Sequence, residues 1–303
     1  FINKINDLWG LPKETEIALE ANPIDADETQ WSEYRDAGIN RLSLGVQTFH
    51  ETALKTLGRD HNSEQALSAL NLATSVFHSV SADLIFGWTG QTAEDLDSDI
   101  ERLLKCGVQH ISTYQLTIEP GTAFAKAESR GQSRAVDTDK SADFFEQAMK
   151  QLKRAGFDHY EVSNFALPGH KSNHNLSYWR GYDYVGVGPG AHGRLTSDGE
   201  RVSTIAALTP SNYHSTVTKA GIGISDRETL TAEEWSEEFV LMGLRTDEGI
   251  SLKKFVEIRG EELAESRVDT LIKDGFLTVK NNHLIATQKG RFLLNAVTEA
   301  LLI

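Results

Sequence analysis

"DLDSDIERLLKCGVQHISTYQLTIE", residues 95–119, decides the fold. Its first half sets Leu96, Ile100, Leu103 and Leu104 on one helical face, Gly107 stops the helix, and "HISTYQLTI" reads as a strand. The same order recurs at 31–47, "WSEYRDAGINRLSLGVQ", where Trp31, Tyr34 and Ala37 share a face and Gly38 supplies the left-handed cap. It recurs at 141–165, "SADFFEQAMKQLKRAGFDHYEVSNF", where Phe145, Ala148, Met149 and Leu152 form the stripe and Gly156 the stop. A fourth helix, "EQALSALNLATSVF" (64–77), feeds the strand "VSADLIFG" (80–87). Strands are expected at 16–21, 41–45, 80–87 and 110–118, with a less regular fifth at 159–165. Strands alternating with helices of this length predict an α/β fold with a parallel sheet, either doubly wound or part of a β/α barrel. Glu20, Gln47 and Glu119 fall at or just past strand C-terminal ends, where such sheets build their sites.

Composition narrows the function classes. The 303 residues hold 30 Lys and Arg against 44 Asp and Glu, a formal charge of −14, which argues against nucleic acid as a partner. No run approaches the ~18 apolar residues of a membrane span, and "FINKINDLWG" has neither the charged nor the apolar region of a signal peptide. Cys106 is the only cysteine, which excludes an internal disulfide framework and fits a reducing compartment, cytoplasm or an organelle matrix. Phe1 opens into an apparent helix without an initiator Met, which reads as a fragment or a processed product.

From about residue 225 the pattern changes to three helices, then "GFLTVKNNHLIATQKG" as a hairpin turning at Asn281-Asn282, then a closing helix. That is the plan of a winged-helix-like α+β module. Residues 231–303 carry nine Lys and Arg against thirteen Asp and Glu, so packing or a lid is a better role than DNA binding.

Among candidate site residues, Asp83 sits inside an apolar strand, where a carboxylate is costly unless paired. Arg59 in "LKTLGRDHN" and Gln47 after Gly45 are ordinary alone. Together a carboxylate, an amide and a guanidinium at successive strand ends suit a small zwitterion or a ribose. "GVGPGA" (186–191) formally meets the dinucleotide fingerprint, but Pro189 removes a backbone donor and no long helix follows, so it reads as a turn-rich loop. Cys106 reads as a small buried residue, and no serine sits in a nucleophile elbow. "SNHNLSYWRGYDYVGVGPGAH" (172–192) gathers Tyr178, Trp179, Tyr182 and Tyr184 beside His174 and His192. Two readings stand: a platform with an axial imidazole for an iron porphyrin, or an aromatic cluster closing the fold.

The ordered motifs "EIALEANP", "GINRLSLGVQTF", "LKTLGRDHN", "ADLIFGWTGQT", "HISTYQLTIEPGTAF", "HYEVSNFA", "HNLSYW", "YVGVGPGAH" and "LMGLRTDEGI" resemble the HemW family over essentially the whole chain. These are radical S-adenosylmethionine (SAM) proteins similar to oxygen-independent coproporphyrinogen III oxidase. The resemblance implies a partial β/α barrel in 1–195, a linking stretch at 196–228 and a C-terminal accessory domain in 229–303. It implies that Arg59 takes the methionine carboxylate of SAM while Glu20, Gln47 and Asp83 serve its ribose hydroxyls and amino group. "HNLSYW" matches the HN-x-x-YW signature of the heme binders, which makes His174, Asn175, Tyr178 and Trp179 candidate heme contacts. The implied cargo is heme, passed to heme-accepting proteins, with a homodimer as a further expectation. The alternative is the oxidase, which decarboxylates propionate side chains through a 5′-deoxyadenosyl radical. Two departures stand out: Thr89 replaces the Pro of the family's G-x-P-G-Q-T, which is expected to loosen the turn after Gly87, and the C-x-x-x-C-x-x-C loop that holds a 4Fe–4S cluster is absent. The barrel is therefore expected to lack its first strands, leaving an exposed sheet edge and apolar surface, and the chain alone is expected to be inactive.

Overall fold

The computed structural model describes residues 2–303; Phe1 lies outside them. The chain divides into two compact units, one ending at Ser172 and one beginning at Asn173.

The first unit runs α1 (Ile2–Trp9), β1 (Ala18–Ala21), α2 (Glu28–Asp36), β2 (Arg41–Gln47), α3 (Glu51–Thr56), α4 (Ser63–Val76), β3 (Ser79–Phe86), α5 (Ala93–Lys105), β4 (His110–Gln115), α6 (Ala123–Glu128), α7 (Thr138–Arg154), β5 (Asp158–Glu161) and β6 (Asn164–Ala166). The sheet order is β1-β2-β3-β4-β6-β5, with β1 to β4 parallel and β1 at one edge. The expected fifth strand is instead an antiparallel hairpin, because the Glu161 carboxylate accepts from the Ser163 amide and the Asn164 amide group and reverses the chain there. Capping boxes at Asn62 and Thr92 start α4 and α5, and Gly107 and Gly156 take the positive φ that ends α5 and α7. Leu96, Ile100 and Leu103 are buried as the periodicity requires. On α7 it is Phe144, one position before the expected Phe145, that enters the core, and on α2 only Trp31 is buried.

Strand alternation gives this sheet two unlike faces. Leu42, Leu44, Val80, Ala82, Leu84, Phe86 and Ile111 form a fully buried apolar layer, each contributing roughly 1.5–3 kcal/mol for the larger side chains. The opposite face is polar: Glu20 on β1, Arg41 and Ser43 on β2, Ser79, Ser81 and Asp83 on β3, His110 and Ser112 on β4. A sheet face of this composition, buried at Arg41, Ser81, His110 and Ser112 and opening toward the exposed Glu20, is lined for polar groups, not for packing.

The second unit runs α8 (Asn173–Trp179), β7 (His192–Ser197), β8 (Glu200–Ala206), α9 (Pro210–Ala220), β9 (Ile224–Leu230), α10 (Ala232–Gly243), β10 (Ile250–Ser251), α11 (Leu252–Arg259), α12 (Glu265–Lys273), β11 (Leu277–Lys280), β12 (His283–Ala286), α13 (Gln288–Phe292) and α14 (Leu294–Leu302). Strands β7-β8-β9 form an antiparallel sheet across the stretch expected to be a linker, turning at Asp198 (φ 54) and Gly199 (φ 82). The winged-helix-like plan is present: α10, α11 and α12, then the β11–β12 hairpin with Asn281 (φ 51) and Asn282 (φ 60) at its turn, with β10 adding a third strand. No helix among the described residues is long and apolar enough to cross a membrane.

Candidate functional site

The C-terminal end of the polar sheet face brings Glu20, Gln47, Arg59 and Asp83 to one rim. Ser43 pairs with Glu20 across β1–β2, and its hydroxyl donates to Asp83 Oδ1 at 3.4 Å, so it stands between the two carboxylates. Burial pushes the Asp83 carboxyl up to about 6; hydrogen bonds from Ser112 and Ser43 and the Arg59 charge pull down, while the Glu20 charge pushes up. Arg59 follows Gly58 (φ 70) after α3, and its Nε is buried with no hydrogen-bond partner among the described residues. A buried guanidinium N–H left over beside a carboxylate of raised pKa is a place short of one anion.

Gln47 reaches this rim through strained backbone. The β2–β3 register shifts between Leu44 and Gln47, and Gln47 adopts φ 68, a left-handed conformation that a non-glycine residue rarely takes. Gly45 lies beneath it, and a Cβ there would meet the Gln47 Nε2 at 3.0 Å and push that amide aside. The turn is held by Asp99 on α5, which sequence reading missed. Asp99 accepts from Thr48 Oγ1 at 2.6 Å and from the Phe49 amide at 2.9 Å, and burial pushes its carboxyl up. The signal was present, a carboxylate on the apolar stripe of Leu96, Ile100 and Leu103. His61, also overlooked, donates from Nε2 to the Val46 carbonyl at 3.1 Å and so satisfies the bulge; burial lowers its pKa.

The N-terminal end of the same face is closed. Arg41 Nη1 donates to Ser79 Oγ and to the His170 carbonyl, both at 3.1 Å, with Glu16 at 3.6 Å. Ser81 Oγ lies 2.7 Å from His110 Nδ1, His110 Nε2 lies 2.8 Å from the Tyr160 hydroxyl, and the Ser172 amide donates to that hydroxyl at 3.2 Å. Burial holds His110 well below its ordinary pKa, with the Arg41 and His170 charges acting the same way.

The turn after β3 is pinned and not loosened. The Thr89 amide donates to the Arg134 carbonyl at 2.9 Å and its hydroxyl to the Ser133 carbonyl at 2.9 Å, and the first of these bonds is one a Pro could not make.

In the second unit the aromatic cluster read at 172–192 parts into two groups. His174, exposed on α8, meets Tyr178 edge-on at 4.8 Å, and Tyr178 meets Tyr184 at 4.5 Å; Asn175 is half-buried on the same helix. Trp179 turns instead into a cavity of about 880 Å³ shared with Tyr182, Arg201, Trp235, Phe239 and His283. The Gly-rich loop leads into β7, not a helix, and Gly186 packs on the His192 backbone where a Cβ has no room. Cys106 is buried, and no three His, Cys, Asp or Glu side chains among the described residues are grouped to hold a metal ion.

Comparison with known proteins places the chain. The model of the Radical SAM superfamily matches residues 2–103 and that of the HemN C-terminal domain matches residues 230–293. Heme chaperone HemW of Bacillus subtilis is 33% identical over 95% of this chain and 76% of its own length, and that of Escherichia coli is 34% identical over 96% and 76%. The mitochondrial radical S-adenosyl methionine domain-containing protein 1 of Bos taurus is 35% identical over 96% of this chain and 69% of its own. The fold matches Escherichia coli coproporphyrinogen III oxidase (HemN), a radical SAM enzyme, with TM-score 0.79, 19% identity, and coverage of 99% and 72%. The matched models and the fold define a radical SAM superfamily protein with a HemN-type C-terminal domain. Within that superfamily, the chain belongs to the HemW family.

Proposed function

We propose that this protein carries heme and hands it to heme-accepting proteins, and that the first unit is a SAM site. The observation that carries the heme reading is Trp179, the last residue of HN-x-x-YW, set in the wall of an aromatic cavity. The names of the HemW relatives support the same reading.

The rim fits SAM on its own chemistry. Arg59, with its spare buried Nε, suits the methionine carboxylate. Glu20, Gln47 and Asp83 suit the ribose hydroxyls and the amino group. A cationic ligand at Asp83 favours its charged form, so SAM binding strengthens as pH rises through about 6. When bound, SAM supplies an adenosyl group on a positively charged sulfur. Cys106 alone does not fit a 4Fe–4S cluster, whose ligation takes three thiolates.

The second reading, coproporphyrinogen III oxidase, is favoured by the fold match alone. Cytoplasm, or mitochondrial matrix as in the name of the bovine relative, is the proposed location, and a homodimer the proposed assembly. The test is to load the chain with hemin and mix it with apomyoglobin. Saturable binding with a shifted Soret band, followed by transfer, is expected; a folded chain that binds no hemin, or binds it and passes none on, would contradict the heme-carrier reading.

A further inference from the structure

The cavity of the second unit is lined by a histidine, His283, that the HN-x-x-YW signature does not include. His283 opens β12 directly after the Asn281–Asn282 turn and lines the cavity with Trp179, Trp235 and Phe239. Its Nδ1 lies 3.1 Å from the Asn281 carbonyl oxygen. A carbonyl only accepts, so Nδ1 carries the hydrogen and Nε2 of the neutral ring keeps its lone pair. Metal-bound imidazoles are held in this way, with the non-ligating nitrogen donating to a backbone carbonyl.

The walls suit a flat conjugated ligand, and the two carboxylates among them, Asp183 and Glu248, are paired with Arg201 and Arg180. Trp235 has the Arg201 guanidinium 5.6 Å and the Lys254 ammonium 5.9 Å from its ring centre. The Trp179 indole N–H is buried with no acceptor among the described residues. His174, in contrast, is exposed, packs edge-on to Tyr178 and does not line this cavity.

We infer that the cavity takes an iron tetrapyrrole and that His283 Nε2, not His174, is the axial ligand to the iron. The Lys254 ammonium faces the peripheral carboxylates, and Trp179, Trp235 and Phe239 bound the ring. This rests on the heme reading above, and adds to it the pocket and the ligating atom. A metal-free porphyrin is held by the same walls without the nitrogen–iron bond.

The test titrates hemin and metal-free protoporphyrin IX into the full 303-residue chain and its His283→Ala, His174→Ala and Trp179→Phe variants, read by absorbance. His283→Ala is expected to weaken hemin binding about tenfold or more, to move the Soret band, and to leave the metal-free porphyrin unaffected. Added imidazole restores the band, and His283→Met gives a displaced band in place of a lost one, which separates ligation from misfolding. Trp179→Phe weakens both ligands, and His174→Ala changes neither. A wild-type hemin spectrum in His283→Ala, with loss in His174→Ala, overturns this inference and leaves the heme reading standing. No hemin binding by the folded wild-type chain overturns both.

Discussion

The two ends of one polar sheet face carry similar side chains and differ in what holds them. At the N-terminal end Arg41, Ser79, Ser81, His110 and Tyr160 answer one another through short hydrogen bonds, and one Arg41 amino group is left over among the described residues. At the C-terminal end Asp83 has a single long bond to Ser43 and one to Ser112, Arg59 keeps a buried N–H unused, and Gln47 sits on strained backbone. Polar groups that satisfy one another belong to the fold; those left short mark where a ligand completes the set.

The comparison breaks if the closed end proves dispensable. His110→Ala removes a buried ring with partners at both nitrogens, takes the imidazole partner from Ser81 and leaves the Tyr160 hydroxyl with the Ser172 amide, so equilibrium unfolding in urea is expected to show a loss of about 3 kcal/mol or more. A loss below about 1 kcal/mol would put that network outside the stabilising core.

The open end is expected to move the other way. Because the folded chain raises Asp83 from its ordinary 3.8 to about 6, it holds a proton that the unfolded chain has released between those values. Its contribution therefore falls as pH rises from about 4 to about 6, by on the order of 3 kcal/mol, and is flat above. The difference between wild type and Asp83→Asn, measured by unfolding across pH 3 to 8, is expected to trace that fall. A difference that grows with pH instead would mean that Asp83 is ion-paired in the fold.

A smaller effect sharpens the boundary of the open end. Thr89→Pro removes the donor to Arg134 and the hydroxyl bond to Ser133, so a cost of about 1 kcal/mol is expected in the same unfolding assay. A stabilised variant would show that the turn, and not its hydrogen bonds, sets the loop.

Much of this was legible in the sequence because local physics dictates it. Gly107 and Gly156 announce the ends of α5 and α7, and the alternation of Ser81, Ala82 and Asp83 announces a two-faced strand. The β5–β6 hairpin was not legible, since its turn at Val162-Ser163 has neither glycine nor proline and depends on the Glu161 side chain. Strands β7 and β8 carried a readable Asp198-Gly199 hairpin signal that their polar composition hid. Phe144 and Phe145 are adjacent, and tertiary packing alone selects the first. Pattern brought Glu20, Gln47, Arg59 and Asp83 forward. It missed Asp99, whose partners Thr48 and Phe49 lie about fifty positions away. It also kept His174 beside Trp179, although the α8 backbone sends Trp179 alone toward Trp235 and His283.

The claim that the C-terminal end of the polar face is built for a ligand is tested most directly by a thermal-shift titration with SAM at pH 7.5, on wild type and Asp83→Asn. The expected result is a higher ligand-free Tm for Asp83→Asn, a Tm that climbs with SAM for wild type, and no climb for the variant. A variant that is less stable than wild type and still climbs with SAM would contradict the account.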